Sequence, residues 1–246
     1  MVMSKVEKIA YYFGWVILGP INMSLSRMKK KKVERRPDNR LGSRKRLLVA
    51  NVIGLISLLL KLDGRVTPEQ VRKITGSIVK SFKLDSNVRS SLESIFCQFL
   101  KSSLSFEGLV ETIPGLVGKD QKSRNLVFEL LVYTVDSVSE LGWEKKLLLL
   151  RLAHRMGIPF TCKKVLLDHE YSNKLDCDNC DDKLYTMFFL GLDENCSRNE
   201  IHKQYRKIVK TIHPDLYPGE STELQRARIT AMQELNKLYQ DLVEKI

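Results

Sequence analysis

The side chains able to do chemistry are few and scattered. Histidines stand at His154, His169, His202 and His213, and cysteines at Cys97, Cys162, Cys177, Cys180 and Cys196. An enzyme needs a nucleophile beside a base, or a clustered metal centre, and neither arrangement can be read here. No activity of the chain's own and no cofactor are expected. Cys177-Asp178-Asn179-Cys180 has the spacing of a redox pair or of half a zinc site, with Cys162, His169 and Cys196 nearby in sequence. No second pair at this spacing completes a zinc site, and no strand–helix–strand pattern surrounds the first. The pair reads as part of an acidic linker, and no metal is expected. An odd cysteine count with irregular spacing implies no disulfide framework, so a reducing compartment is the default. One tripeptide does join an imidazole, a rigid ring and a carboxylate: His213-Pro214-Asp215.

The elements around that tripeptide are strongly patterned. Leu184–Gly191 is a short apolar helix that Gly191 closes. Ser197-Arg198-Asn199-Glu200 is a capping box and opens a helix through about Thr211. Ile201, Tyr205, Ile208, Val209 and Ile212 form its apolar face, while His202, Lys203, Arg206, Lys207 and Lys210 occupy the remaining surface. After the tripeptide and a loop with Pro218 and Gly219, a second long helix runs from about Thr222 to Val243. It presents Leu224, Ile229, Met232, Leu235, Leu238 and Tyr239. Two such helices joined by a tight loop make an antiparallel hairpin.

This layout resembles the J domain of DnaJ-type co-chaperones. Tyr185 with Leu190-Gly191-Leu192 matches the family's opening, and Ile201 with Tyr205-Arg206-Lys207-Ile208 matches its second helix. His213-Pro214-Asp215 matches the signature tripeptide; Met232, Leu235 and Tyr239 match the third helix. Leu216 stands where a lysine often follows the tripeptide, and Leu238 where an alanine usually precedes the tyrosine. The resemblance implies an Hsp70 (DnaK-type) partner whose ATP hydrolysis the chain promotes. His213, Pro214, Asp215, Tyr205, Lys203, Arg206, Lys207 and Lys210 would then be the docking residues. Pro214 would stiffen the loop, Asp215 would offer its carboxylate to a partner arginine, and the cationic stripe would steer an acidic surface.

The net charge is +12, and residues 27–46 account for +9 of it: eleven Lys or Arg against Glu34 and Asp38. The cluster follows an apolar run at residues 9–23 that includes Tyr11, Tyr12 and Trp15. The run is shorter than the roughly 20 residues of a comfortable span, but its aromatics suit an interface. The positive-inside tendency puts the chain beyond residue 27 in the cytoplasm. A membrane surface is therefore expected as a partner and nucleic acid is not. Dimerisation of the anchor stays open.

The middle of the chain reads as helical. Leu47, Leu48, Asn51, Val52, Leu55, Leu58 and Leu59 recur at three and four residue steps, after a linker at 37–43. Thr67-Pro68-Glu69-Gln70 opens the next helix with a capping box. Helices near 68–83, 86–101 and 104–112 come next, then a break over Ile113–Asp120 and helices at 122–140 and 143–156. Lys61–Leu84 is weakly echoed by Thr134–Ile158. Leu62-Asp63-Gly64-Arg65-Val66-Thr67-Pro68-Glu69 resembles the acidic turn of TerB-like (tellurite-resistance-type) helical domains. That family's acidic turns would make Asp63 and Asp136 metal candidates, although Ser137 replaces the usual glycine. As turn-forming carboxylates they need no metal.

The expected fold is all-α: an N-terminal hydrophobic helix, a TerB-like helical bundle and a C-terminal J-domain helical hairpin. The expected segments are a membrane anchor (1–26), a basic juxtamembrane linker (27–43), a TerB-like domain (44–158), a linker (159–183) and a J domain (184–246). Together they resemble membrane-anchored DjlA-type bacterial co-chaperones. The rival reading is a membrane-associated scaffold that works through its middle domain, with a vestigial J domain.

Overall fold

The computed structural model describes residues 39–174 and 181–245. The apolar run 9–23, most of the basic cluster and the Cys177–Cys180 pair lie outside the described residues. Every element among the described residues is a helix or a 3-10 turn. None of these helices is long and apolar enough to cross a membrane.

The chain forms two units, the first ending at Lys119 and the second beginning at Asp120. In the first, α1 (Asn39–Lys61) is the centre, with α2 (Pro68–Ser81), α3 (Arg89–Lys101) and α4 (Phe106–Val117) around it. A helix that is apolar on all sides must be enclosed, and Val52, Ile53, Leu55, Ile56 and Leu59 are fully buried against α3 and α4. Each such side chain contributes about 1.5–3 kcal/mol by leaving water. The capping box at α2 forms as its spacing requires. Thr67 Oγ1 accepts from the Gln70 N–H at 3.3 Å, and the Thr67 N–H donates to Gln70 Oε1 at 2.8 Å.

Two boundaries differ from the sequence reading, for one physical reason. Residues 39–43, read as linker, belong to α1, and α4 runs through Ile113 and Pro114 to Val117 instead of stopping before them. The Arg44 guanidinium donates to the Leu116 carbonyl at 2.8 Å and the Gly115 carbonyl at 2.9 Å. Those are carbonyls that a helix end leaves unpaired. One long side chain thus fastens the start of α1 to the end of α4. Ile113, fully buried, adds the apolar reason to continue the helix.

The second unit contains α5 (Gln121–Asp136), α6 (Trp143–Met156), α7 (Phe160–Lys163), α8 (His169–Lys174), α9 (Asp182–Phe189), α10 (Arg198–Ile212) and α11 (Thr222–Glu244). The boundary expected at residue 158 falls inside it, because α6 packs along α11 and against α10. Much of the expected linker 159–183 is folded as well. Val165-Leu166-Leu167 is apolar and needs cover; Leu166 and Leu167 are buried. The Tyr185 hydroxyl donates to the Lys163 carbonyl at 3.3 Å, and the Tyr171 ring lies 5.3 Å from that of Phe188. Helix α5 buries Val127, Phe128, Leu131 and Val135 but leaves Leu126 66% exposed, which turns it slightly from the face expected.

Candidate functional site

Helix α10 begins where its capping box places it. The Glu200 N–H donates to Ser197 Oγ at 3.4 Å, and the Ser197 N–H to Glu200 Oε2 at 2.7 Å. The Ser197 N–H and the Ser197 hydroxyl, which also donates to Glu200 Oε2 at 2.7 Å, hold the Glu200 carboxyl below its ordinary pKa. Ile201, Ile208 and Ile212 are buried, so the opposite face must be wet. Lys203, Arg206, Lys207 and Lys210 are all exposed there, at steps of three and four residues, and form one cationic stripe. Asn199 and His202 complete a shallow hollow of about 510 Å³ along it.

Tyr205 does not join the stripe. Its ring stacks on Tyr239 at 4.2 Å, and its hydroxyl donates to Asn236 Oδ1 at 2.8 Å. Burial raises its pKa. Tyr239 in turn is hydrogen-bonded to His202 Nδ1. Tyr205 therefore braces α10 against α11.

The loop grows from the end of α10. The His213 N–H still donates to the Val209 carbonyl at 3.0 Å, but its ψ of 129° has already left the helix, as a residue before proline must. Pro214–Leu216 then makes one 3-10 turn, closed by the Leu216 N–H on the His213 carbonyl at 3.0 Å. His213 Nδ1 accepts from the Asp215 N–H at 3.3 Å and lies 3.5 Å from Asp215 Oδ2. A ring nitrogen that accepts leaves Nε2 to carry the proton. The Asp215 side chain is 86% exposed and that of His213 42% exposed. The three residues thus form one accessible turn at the C-terminal end of the cationic stripe.

Behind the loop lies a network that sequence reading missed. The Arg228 side chain on α11 is 1% exposed, yet charged. Its Nε and Nη2 donate to the two carboxylate oxygens of Glu220, each at 2.8 Å, and its Nη1 donates to Glu144 Oε1 on α6 at 2.8 Å. Burial works against the cation, but the bonds and charges of Glu220 and Glu144 outweigh it and raise the Arg228 pKa. The guanidinium also lies over the Tyr217 ring, 3.3 Å from its centre. Further along α11, Glu234 is 2% exposed and meets His154 Nδ1 of α6 at 2.8 Å and Arg151 at 3.6 Å. A signal existed: Arg228 and Glu234 fall within the buried run Leu224, Ala227, Ala231, Leu235, Leu238, where a charge needs a partner.

The metal candidates of the sequence are Asp63 and Asp136. Both are exposed residues, in different units. Among the described residues no three His, Cys, Asp or Glu side chains gather as a metal would need. Of the cysteines, Cys196 is half-buried; burial, then the nearby Glu200 charge, pushes its thiol pKa up, away from a reactive thiolate.

A capped basic helix, a His-Pro-Asp turn and a long return helix thus stand together. Residues 184–245 match the DnaJ domain family. The chain carries a J domain. That span takes in α9, α10, the His213–Asp215 turn and α11. No curated protein and no solved structure matches the chain. A J domain indicates Hsp70 co-chaperone activity in general.

Proposed function

We propose that this chain recruits a DnaK-type Hsp70 at the inner face of a bacterial membrane and stimulates its ATP hydrolysis, in the manner of DjlA-type co-chaperones. The reading rests on one observation above all. The Asp215 carboxylate is exposed on a short, internally bonded turn, at the end of an exposed cationic helix face. The stripe Lys203, Arg206, Lys207 and Lys210 gathers an acidic partner surface and raises the rate of encounter. Pro214 removes backbone freedom from the turn. Asp215 then makes a charge-assisted bond to an arginine of the Hsp70, and His213 holds the Asp215 backbone N–H. ATP is hydrolysed by the Hsp70, so the chain supplies orientation and no reacting group.

The membrane part of the reading rests on residues 9–23 and the +9 cluster of residues 27–46. The middle helices are read as TerB-like, supported by the all-helical first unit and the capped turn at Asp63–Pro68.

Two measurements test these points. In a single-turnover assay with a DnaK-type Hsp70, the full chain accelerates ATP hydrolysis and the Asp215→Asn variant does not, with its melting temperature unchanged because that carboxylate is solvent-exposed. Full stimulation by a folded Asp215→Asn protein refutes the role of the loop. No stimulation by the unmutated chain favours the scaffold reading. In vesicle sedimentation, the full chain pellets with anionic vesicles and a chain lacking residues 1–38 does not. A full chain left in the supernatant ends the membrane assignment.

A further inference from the structure

Tyr217 ends the turn that displays Asp215, and it is tied down on every side. Its N–H donates to the Pro214 carbonyl at 3.1 Å, and its own carbonyl accepts from Gln225 Nε2 at 2.6 Å. Its hydroxyl points between the Thr211 carbonyl at 3.0 Å and Glu144 Oε1 at 3.3 Å. Thr211 lies just before His213 and Tyr217 just after Leu216, so this one ring clasps both ends of the turn. The ring is covered by the Arg228 guanidinium, which Glu144 and Glu220 hold in place.

Glu144 belongs to α6, forty residues before the matched J domain begins. A J domain built only from residues 184–245 would contain Arg228, Glu220 and Tyr217 but lose this second carboxylate. The buried guanidinium is then one acceptor short, and the hydroxyl of Tyr217 loses its second neighbour.

We propose that Arg228 and Glu144 are positioning residues for Hsp70 stimulation: through Tyr217 they fix the orientation of the His213–Pro214–Asp215 turn, so helix α6 is a working part of the J domain. This rests on the reading of the turn as the Hsp70-activating element. A group that acts by orientation affects the activated complex more than the encounter. The cationic stripe of α10 makes the encounter, and it is untouched by changes at Arg228.

The test uses the full chain with a DnaK-type Hsp70, and measures both the maximal stimulation of ATP hydrolysis and the concentration giving half of it. Arg228→Met lowers the maximum by about fivefold or more and moves the half-saturating concentration by less than about twofold. Hydrogen exchange at the Asp215, Leu216 and Tyr217 amides speeds up in the same variant. Glu234→Gln is the matched control. It breaks a buried ion pair between the same two helices, about 15 Å along α6 from Glu144; it lowers the melting temperature and leaves the maximum alone. Should Arg228→Met not fold, Glu144→Gln and Tyr217→Phe carry the test, each with a maximum reduced by about twofold or more.

An undiminished maximum in the folded Arg228→Met variant overturns the inference. So does an equal loss in Glu234→Gln at equal melting temperature, which would reduce Arg228 to a stabilising residue. Absence of stimulation by the unmutated chain is a different failure, since it removes the function on which the inference stands.

Discussion

Glu234 is almost wholly enclosed between α6 and α11, and its charge state is set by its neighbours. Burial alone would raise its pKa, but the hydrogen bond and charge of His154, with the charge of Arg151, outweigh burial and hold it below the ordinary value of 4.5. A carboxyl with a depressed folded-state pKa stabilises the fold above the unfolded value, and that contribution fades as pH falls through the folded one. Glu234→Gln therefore costs about 1–2 kcal/mol near pH 7, since His154 and Arg151 are partly exposed and can rehydrate. The cost shrinks toward zero as the pH falls through the lowered pKa of the carboxyl and it is protonated. Melting curves of the two proteins between neutral and acidic pH measure this, and a gap that stays constant on acidification contradicts the assignment. The same pairs mark the limit of reading residues from sequence. His213-Pro214-Asp215 is legible because its meaning is local: a proline ends the helix and the two flanking side chains share its turn. Glu234 is not, because its partners His154 and Arg151 lie on α6, about eighty residues away, and Arg228 is legible only in part: Glu220 is eight residues off, but Glu144 lies on α6, 84 residues away.

Among the elements, helix starts are legible and helix ends less so. A start is written in three or four residues, and the boxes at Thr67 and Ser197 form as their spacing requires. The end of α4 is hidden because Pro114 looks like a stop, whereas the groups that prolong the helix come from Arg44, 71 residues earlier. Helix α11 shows a second kind of limit. Its apolar positions read as one face for a hairpin with α10 alone, with Ile229 inside. The observed helix is covered on two sides, by α10 and by α6, and Ile229 is 44% exposed while Ala227 and Ala231 are fully buried. Small residues at such steps permit close approach of a second helix. Alanines in a helix are also simply good helix formers, so the pattern alone does not decide.

For the whole molecule, the span that matches the J domain and the unit that folds together are different lengths. The match starts at residue 184, whereas the unit begins at Asp120. Removing residues 120–183 strips α6 from α11 and leaves Glu234 without His154 or Arg151. Several kcal/mol of burial and pairing go with them. A fragment of residues 184–245 thus melts about 10 °C or more below one of residues 120–245. Equal melting temperatures would show that α6 adds nothing to the fold of the J domain. The sequence points to a J domain at its C-terminal end and to helices before it. It does not reveal that the two share one core, because the residues joining them (Lys163, Tyr171) read as linker until Tyr185 and Phe188 are seen to receive them.

The clasp that Tyr217 makes around the His-Pro-Asp turn has a thermodynamic consequence. A segment already frozen in one shape has little conformational entropy left to surrender when a partner closes on it. On the proposed reading, encounter with the Hsp70 then proceeds to the tight complex without a slow rearrangement of this turn.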